Sequence, residues 1–218
     1  MRENRKSLLP CLKAAKKDPH VKRCSLVGDI LWIDGSKYTV SNMDDIPQKF
    51  WQAKKGQRYF SKCDSTLFFG RGSFLSNHHS SQFKEEGIMY SCSEQYYLQK
   101  KSLFFNDDST ASAIMKADDP GKMKAIARKI KGLDESKWQD SARSVMEKAC
   151  FLKFTKNLKT KSLLTSTKGI LVEANEKDSY FSCGLSLSDP HIMERSRWAG
   201  KNILGDILTE LRDRLKQK

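Results

Sequence analysis

A chain of 218 residues suffices for one domain with a sizeable core and an appendage. With 38% hydrophobic and 10% aromatic residues, it is excluded from the class of globally disordered chains. No apolar run has the length of a membrane span, and 40 basic against 26 acidic residues leave +14, which draws polyanions and nominates a nucleic-acid or nucleotide partner without establishing one.

Residues 1–24 are basic (Lys13, Lys16, Lys17, Lys22, Arg23) and lack apolar periodicity, so a basic arm is expected there. They begin Met1-Arg2-Glu3-Asn4-Arg5-Lys6, which has no signal-peptide core; an intracellular protein, cytoplasmic or nuclear, is expected, with no membrane association. Two β-rich runs, Asp29 to Ile33 and Ser36 to Val40, flank Asp34-Gly35 and predict a hairpin with a two-residue turn. Ser41 or Asn42 is placed to cap a short helix containing Phe50 and Trp51. Residues 1–62 hold 14 basic and 6 acidic residues and are read as an appendage, separate from a domain over 63–218.

From Leu67 the texture changes. Leu67-Phe68-Phe69 reads as a strand, followed by a Gly/Ser/Asn-rich loop from Gly70 to Ser81 and a strand near Gln82-Phe83-Lys84. Ser91-x-x-Glu94 has the form of a capping box and predicts a helix to Phe105. Helices follow at about 109–117 and 120–131, the latter with Asp119 as N-cap and Pro120 in first position. A longer one runs from Asp134 to Asn157, with Trp138, Ala142, Val145, Ala149 and Leu152 on its buried face. A short helix from Leu158 to Thr165, a buried strand at Gly169 to Glu173 and a final helix from Lys201 to Leu215 complete the domain. The expected fold is α+β and mainly α-helical, with a few short strands and an N-terminal β-hairpin appendage.

Cys11, Cys24, Cys63, Cys92, Cys150 and Cys183 form no C-x-x-C pair, and His20, His78, His79 and His191 are scattered. Free thiols are expected, with neither a metal nor a cofactor. Glu94 is the first candidate for chemistry. As a member of a capping box it needs no further role, yet Lys101 lies two turns further on the same helix face, with Tyr97 and Leu98 between them. Asp178 follows the strand at 170–173 in a loop where an aspartate can serve a turn or a ligand. Trp198-Ala199-Gly200-Lys201-Asn202-Ile203-Leu204-Gly205 opens a helix, offering either free N–H groups to an anion or an ordinary N-cap at Asn202 with glycines for close packing. Leu75-Ser76-Asn77 could hold a ligand hydroxyl or only a turn.

Each of these signals is weak by itself, but their order is specific. Leu75-Ser76-Asn77, Ser93-Glu94-Gln95-Tyr96 with Lys101, Trp138, Lys153-Phe154 with Asn157, Leu171-Val172-Glu173-Ala174, Asp178, and Trp198-x-Gly-x-Asn-x-Leu-Gly with Arg212 together resemble the NADAR (YbiA-like) family over about residues 66–215. Four positions depart from the family pattern: Phe181-Ser182 stands for Trp-Gly, His78 for an aromatic, and Lys100 for Gln. The resemblance implies a compact, mainly α fold that hydrolyses N-glycosidic bonds, either removing ADP-ribose from guanine in nucleic acid or cleaving phosphoribosyl intermediates of riboflavin synthesis. Glu94, Lys101 and Asp178 are then the expected catalytic set. The two carboxylates would stabilise a ribosyl cation or activate water, and Lys101 would either hold one of them ionised or capture an opened ribose as a Schiff base.

Tyr97, Trp138 and Phe181 could stack on a base, although Trp138 also fits a core position. Asn77, Trp198, Gly200, Asn202 and Gly205 complete the expected substrate-binding set, the last three as phosphate holders, with Arg128 as an outlying candidate. The expected partner is an ADP-ribosylated nucleic acid or an ADP-ribose-like nucleotide, and a domain that only binds ADP-ribose or NAD is the non-enzymatic alternative.

Overall fold

The structure, a computed structural model, describes residues 22–27, 30–33, 36–38, 59–62, 65–187, 189 and 191–217. Strands β1 (Cys24–Val27), β2 (Ile30–Ile33) and β3 (Ser36–Tyr38) form an antiparallel meander. The register Ile33↔Ser36 agrees with the hairpin expected from the sequence, while its turn residues Asp34 and Gly35 lie outside the described residues. The same holds for the expected helix near Phe50 and Trp51 and for most of the basic arm.

Strand β4 (Tyr59–Lys62) pairs antiparallel with β5 (Ser65–Phe68), which in turn pairs parallel with β8 (Ile170–Glu173). Everything between β5 and β8 is the crossover of this parallel pair. It begins with the turns of the 70–81 loop and a hairpin, β6 (Phe83–Glu85) and β7 (Ile88–Tyr90). The β7 strand was not expected. Its turn is Glu86-Gly87, with φ of 49° and 82°, the two positive values that a two-residue hairpin loop requires. Glu at the first of these positions is not a usual turn signal, so only β6 was legible.

Helices α1 (Ser93–Phe104), α2 (Asp108–Lys116), α3 (Pro120–Ala127), α4 (Glu135–Thr155) and α5 (Leu158–Thr165) follow, and α6 (Ile203–Lys216) closes the fold against β8. Four of them start on side-chain caps: Asp107 accepts from Thr110 N–H, Asp119 from Gly121 and Lys122, Asp134 from Ser136 and Lys137, and Asn157 from Thr160. The capping box at α1 is built differently from the sequence expectation. Gln95 takes the role assigned to Glu94, its Oε1 accepting from Ser91 N–H (2.8 Å) and Ser91 Oγ–H (3.0 Å). Its Nε2 then donates to the carbonyls of Ile114 and Met115, tying the start of α1 to the end of α2.

On α4 the expected face is broader than its period suggests. Trp138, Ala142, Ala149 and Leu152 are buried and Val145 is only half-buried, while Met146, Cys150, Lys153 and Phe154 are buried as well. This helix packs against α1, α5, α6 and β6, so more than one stripe leaves solvent. Cys92, Cys150 and Cys183 are free and buried. No helix among the described residues is long and apolar enough to cross a membrane.

Candidate active site

The 70–81 loop is a succession of turns: Ser73 N–H donates to Gly70 O, Ser76 to Ser73, and His79 to Ser76. Its far end is pinned from beneath. Lys153, almost wholly buried on α4, donates from Nζ to Ser76 O at 2.7 Å. Burial pushes the Lys153 ammonium down to about 8, only partly opposed by the nearby Cys150, Cys92 and Glu173. Held in this way, Asn77 clasps the first turn of α1 twice. Its carbonyl accepts from Glu94 N–H at 3.0 Å, and its side-chain Nδ2 donates to Glu94 Oε2.

The Glu94 carboxylate is therefore free of capping and committed to the loop. His78 Nε2 stands 3.6 Å from Oε2, and Lys124 Nζ of α3 stands 3.9 Å from Oε1. Burial raises the Glu94 pKa, but His78 and the charges of Lys124 and Lys101 outweigh it, leaving the group below the ordinary carboxylate range. Glu173, the last residue of β8, has the opposite surroundings. It is 7% exposed, and burial and the neighbouring Asp178 and Glu94 charges push it up to about 8, with Lys124 and Lys153 opposing. At neutral pH one carboxyl of this group is ionised and another holds its proton.

Of these residues, Asn77, Glu94 and Lys124 border a cavity of about 570 Å³, within the range of small-molecule sites. Asn77, Glu94, Tyr97, Lys101, Trp138, Asp178 and Phe181 all line it, so seven of the eleven residues named from the sequence converge. Lys101 does not pair with Glu94; its Nζ meets Glu135 at 2.6 Å, and Glu135 is largely exposed. Asp178 fulfils its plain turn role, Oδ1 accepting from Tyr180 and Phe181 N–H at 3.0 and 2.9 Å, while also bordering the cavity. The aromatics form a wall: Tyr97 meets Trp138 at 5.5 Å and Phe181 at 5.3 Å between ring centres, and Trp138 Nε1–H donates to the Tyr97 hydroxyl at 2.6 Å. Trp138 is thus both core and cavity wall. Burial, ahead of every other influence, pushes the Tyr97 phenol well above its usual range.

The other four, Trp198, Gly200, Asn202 and Gly205, are not in the cavity. The N–H groups of Gly200 and Asn202, expected to hold phosphate, are consumed within the fold with their neighbours: Gly200 donates to Cys183 O, Lys201 to Ser179 O, Asn202 to Ser182 O and Leu204 to Phe181 O. Asn202, at φ 56°, makes no side-chain cap either; its Oδ1 accepts from Glu173 N–H and its Nδ2 donates to Leu171 O, bolting α6 to β8. A Cβ at Gly205 would collide with the Leu171 carbonyl oxygen, and one at Gly200 with that of Ser182, so both glycines serve close packing. Trp198 donates from Nε1 to Ile192 O and lies under Arg195. Cations do reach the cavity from α3 and its end, as Lys124 and the exposed Arg128, which has no ion-pair partner among the described residues. The sequence reading passed over Lys124, His78, Glu135 and Glu173 as site residues. Glu173 and His78 stood within the family pattern without an assigned role, and Lys124 and Glu135 sit in charged stretches with no local signal to mark them.

The chain is similar to several known proteins. The chain is 35% identical over 135 residues to Protein irg-1 of Caenorhabditis elegans, spanning 61% of this chain and 64% of that protein. It is 28% identical over 134 residues to N-glycosidase R617 of Acanthamoeba polyphaga mimivirus (61% and 79%), and 30% identical over 147 residues to N-glycosidase YbiA of Escherichia coli strain K12 (65% and 80%). The NMR structure of the E. coli protein YbiA superposes with a TM-score of 0.59 at 25% identity, covering 73% of this chain and 89% of that one. The NADAR domain model matches residues 49–216, reaching further toward the N-terminus than the motifs do and taking in β4. The chain belongs to the NADAR domain family.

Proposed function

We propose that this protein is an N-glycosidase and that it removes ADP-ribose from guanine bases of nucleic acid. The observation that carries the reading is Glu94: a buried carboxylate kept ionised by Asn77, His78 and Lys124, bordering a nucleotide-sized cavity. Cleavage of a ribose C1′–N bond builds positive charge on the sugar, and a preorganised anion beside C1′ stabilises it or orients the attacking water. Relatives named N-glycosidase support the bond type. Asp178 has one oxygen engaged by backbone N–H groups, which leaves the other for a ribose hydroxyl or water. Lys101 is engaged by Glu135, so capture of an opened ribose would first require that pair to part; direct hydrolysis is the simpler route.

The choice of leaving group rests on charge and shape. The aromatic wall suits a base, Lys124 and Arg128 suit a pyrophosphate, and the +14 chain suits a polyanion. The test offers ADP-ribosylated guanine oligonucleotide and phosphoribosyl aminopyrimidine to the parent and to Glu94→Gln. The parent should release ADP-ribose from the oligonucleotide, and Glu94→Gln should lose on the order of 10²–10⁴-fold in kcat while still binding ADP-ribose. Consumption of the metabolite alone would replace the substrate assignment. ADP-ribose binding with no turnover of either would reduce the domain to a binding module.

A further inference from the structure

The aromatic wall continues beyond the cavity. Tyr180, Phe181, Tyr97, Trp138 and Phe104 follow one another with ring centres 4.9, 5.3, 5.5 and 5.3 Å apart. The first four line the cavity; Phe104 does not, and it is 46% exposed. Helix α1 explains the placement. Leu98 and Lys101 form part of the cavity lining, and Phe104 lies three residues after Lys101, the next position on that face. Lys101 is held to the exposed Glu135, at the first turn of α4, and the Phe104 ring stands against Trp138 of the same turn region. Phe104 therefore extends the rim of the cavity outward, with the half-exposed Leu103 beside it.

A lone exposed phenylalanine needs no explanation. This one is continuous with a wall that already suits bases, on a strongly basic chain, and a series of rings beside a cationic site is how sequence-tolerant binding of single strands is built. We propose that Phe104 is a stacking platform for a nucleobase of the single strand adjoining the base whose glycosidic bond is cleaved. Its ring meets Trp138 edge to face, at 68° between planes, and keeps exposed area of its own at the cavity rim. The platform selects strands over free nucleosides and has no part in the bond cleavage.

The inference rests on the proposed nucleic-acid substrate, so the test has one arm with turnover and one without. Three variants are compared: Phe104→Leu, which keeps apolar packing on Trp138 but removes the π face, Phe104→Ala, and Phe104→Tyr. On an ADP-ribosylated oligonucleotide, Phe104→Leu and Phe104→Ala should raise KM roughly tenfold with kcat little changed, while Phe104→Tyr matches the parent. On ADP-ribosyl-guanosine, which has no neighbouring base, all four proteins should be alike. The second arm measures binding of an unmodified single-stranded oligonucleotide, which needs no catalysis, and the same roughly tenfold weakening is expected. Equal affinity of the parent and Phe104→Leu for that oligonucleotide overturns the platform, whatever the substrate proves to be. Equal losses on nucleoside and oligonucleotide would also overturn it, since they would mean that Phe104 acts only through Trp138. Failure of the parent to cleave ADP-ribosylated guanine, with the binding difference intact, would count against the substrate assignment and leave the platform standing.

Discussion

Glu94 and Glu173 are both buried carboxyls, and the charge of Glu94 is one of the influences that raise Glu173. Their protonation is decided by who stands next to them: Asn77, His78 and Lys124 at Glu94, chiefly burial and like charge at Glu173. This makes a pH prediction. Folded Glu173 keeps its proton up to about 8, whereas an unfolded glutamate releases it near 4.5. Across that window the folded state binds the extra proton, so this group's contribution to stability is whole below the unfolded value and is lost as pH rises toward 8, by at most about 1.4 kcal/mol per pH unit. Glu94, Asp178, Lys124 and Lys153 are the charged groups that influence it, and Lys153 adds its own titration only above about 8. Glu173→Gln should therefore flatten the fall in stability between pH 5 and 8, and urea midpoints of parent and variant at pH 5, 6.5 and 8 check it. Parallel curves would show that Glu173 ionises normally. In the sequence, Glu173 is part of the Leu171-Val172-Glu173-Ala174 motif with no role of its own; its electrostatic surroundings come from Asp178 nearby in the chain and from Glu94 on α1 and Lys124 on α3, which are remote in it.

At the scale of elements, the decisive joint is α6 against β8. Residues 200–204 give their N–H groups to carbonyls of 179–183, and Asn202 reaches across to both Leu171 and Glu173. The loop bearing Asp178 and Phe181 is thereby fixed at the cavity by a helix that does not touch the cavity. Gly205→Ala tests this. The new methyl would have to push α6 away from the Leu171 carbonyl, so unfolding free energy should fall by about 1–3 kcal/mol or more. Because that joint holds the loop at the cavity, the affinity of the still-folded protein for ADP-ribose should fall together with stability, not apart from it. Unchanged stability with weakened binding would instead restore the phosphate role suggested by sequence. The Gly-x-Asn-x-Leu-Gly pattern was legible as important, but a helix start built for an anion and one built for a strand share the same residue types. Only the partner of each N–H separates them.

Across the whole molecule, the +14 charge should govern encounter with the substrate more than the chemistry. Binding of an ADP-ribosylated oligonucleotide to Glu94→Gln should weaken steeply with salt, log Kd rising by about 0.7 per neutralised phosphate for each tenfold in salt. Free ADP-ribose, with only two phosphates, should show a shallow slope; equal slopes would mean that the strand makes no contact of its own. What the sequence determined by itself was whatever is local in the chain: the helix cap at Asp119, the periods of α4 and α6, and the family, carried by an ordered set of motifs. These depend on neighbours three or four residues away, and so they can be read along one line. Tertiary structure alone decided that Gln95 rather than Glu94 closes the α1 cap, that Lys101 turns to Glu135, and that cations from α3 rather than the α6 start border the cavity. Hydrogen-bond partners and charge environments are set by distances across the fold, and no residue type states in advance which of its possible partners it will meet.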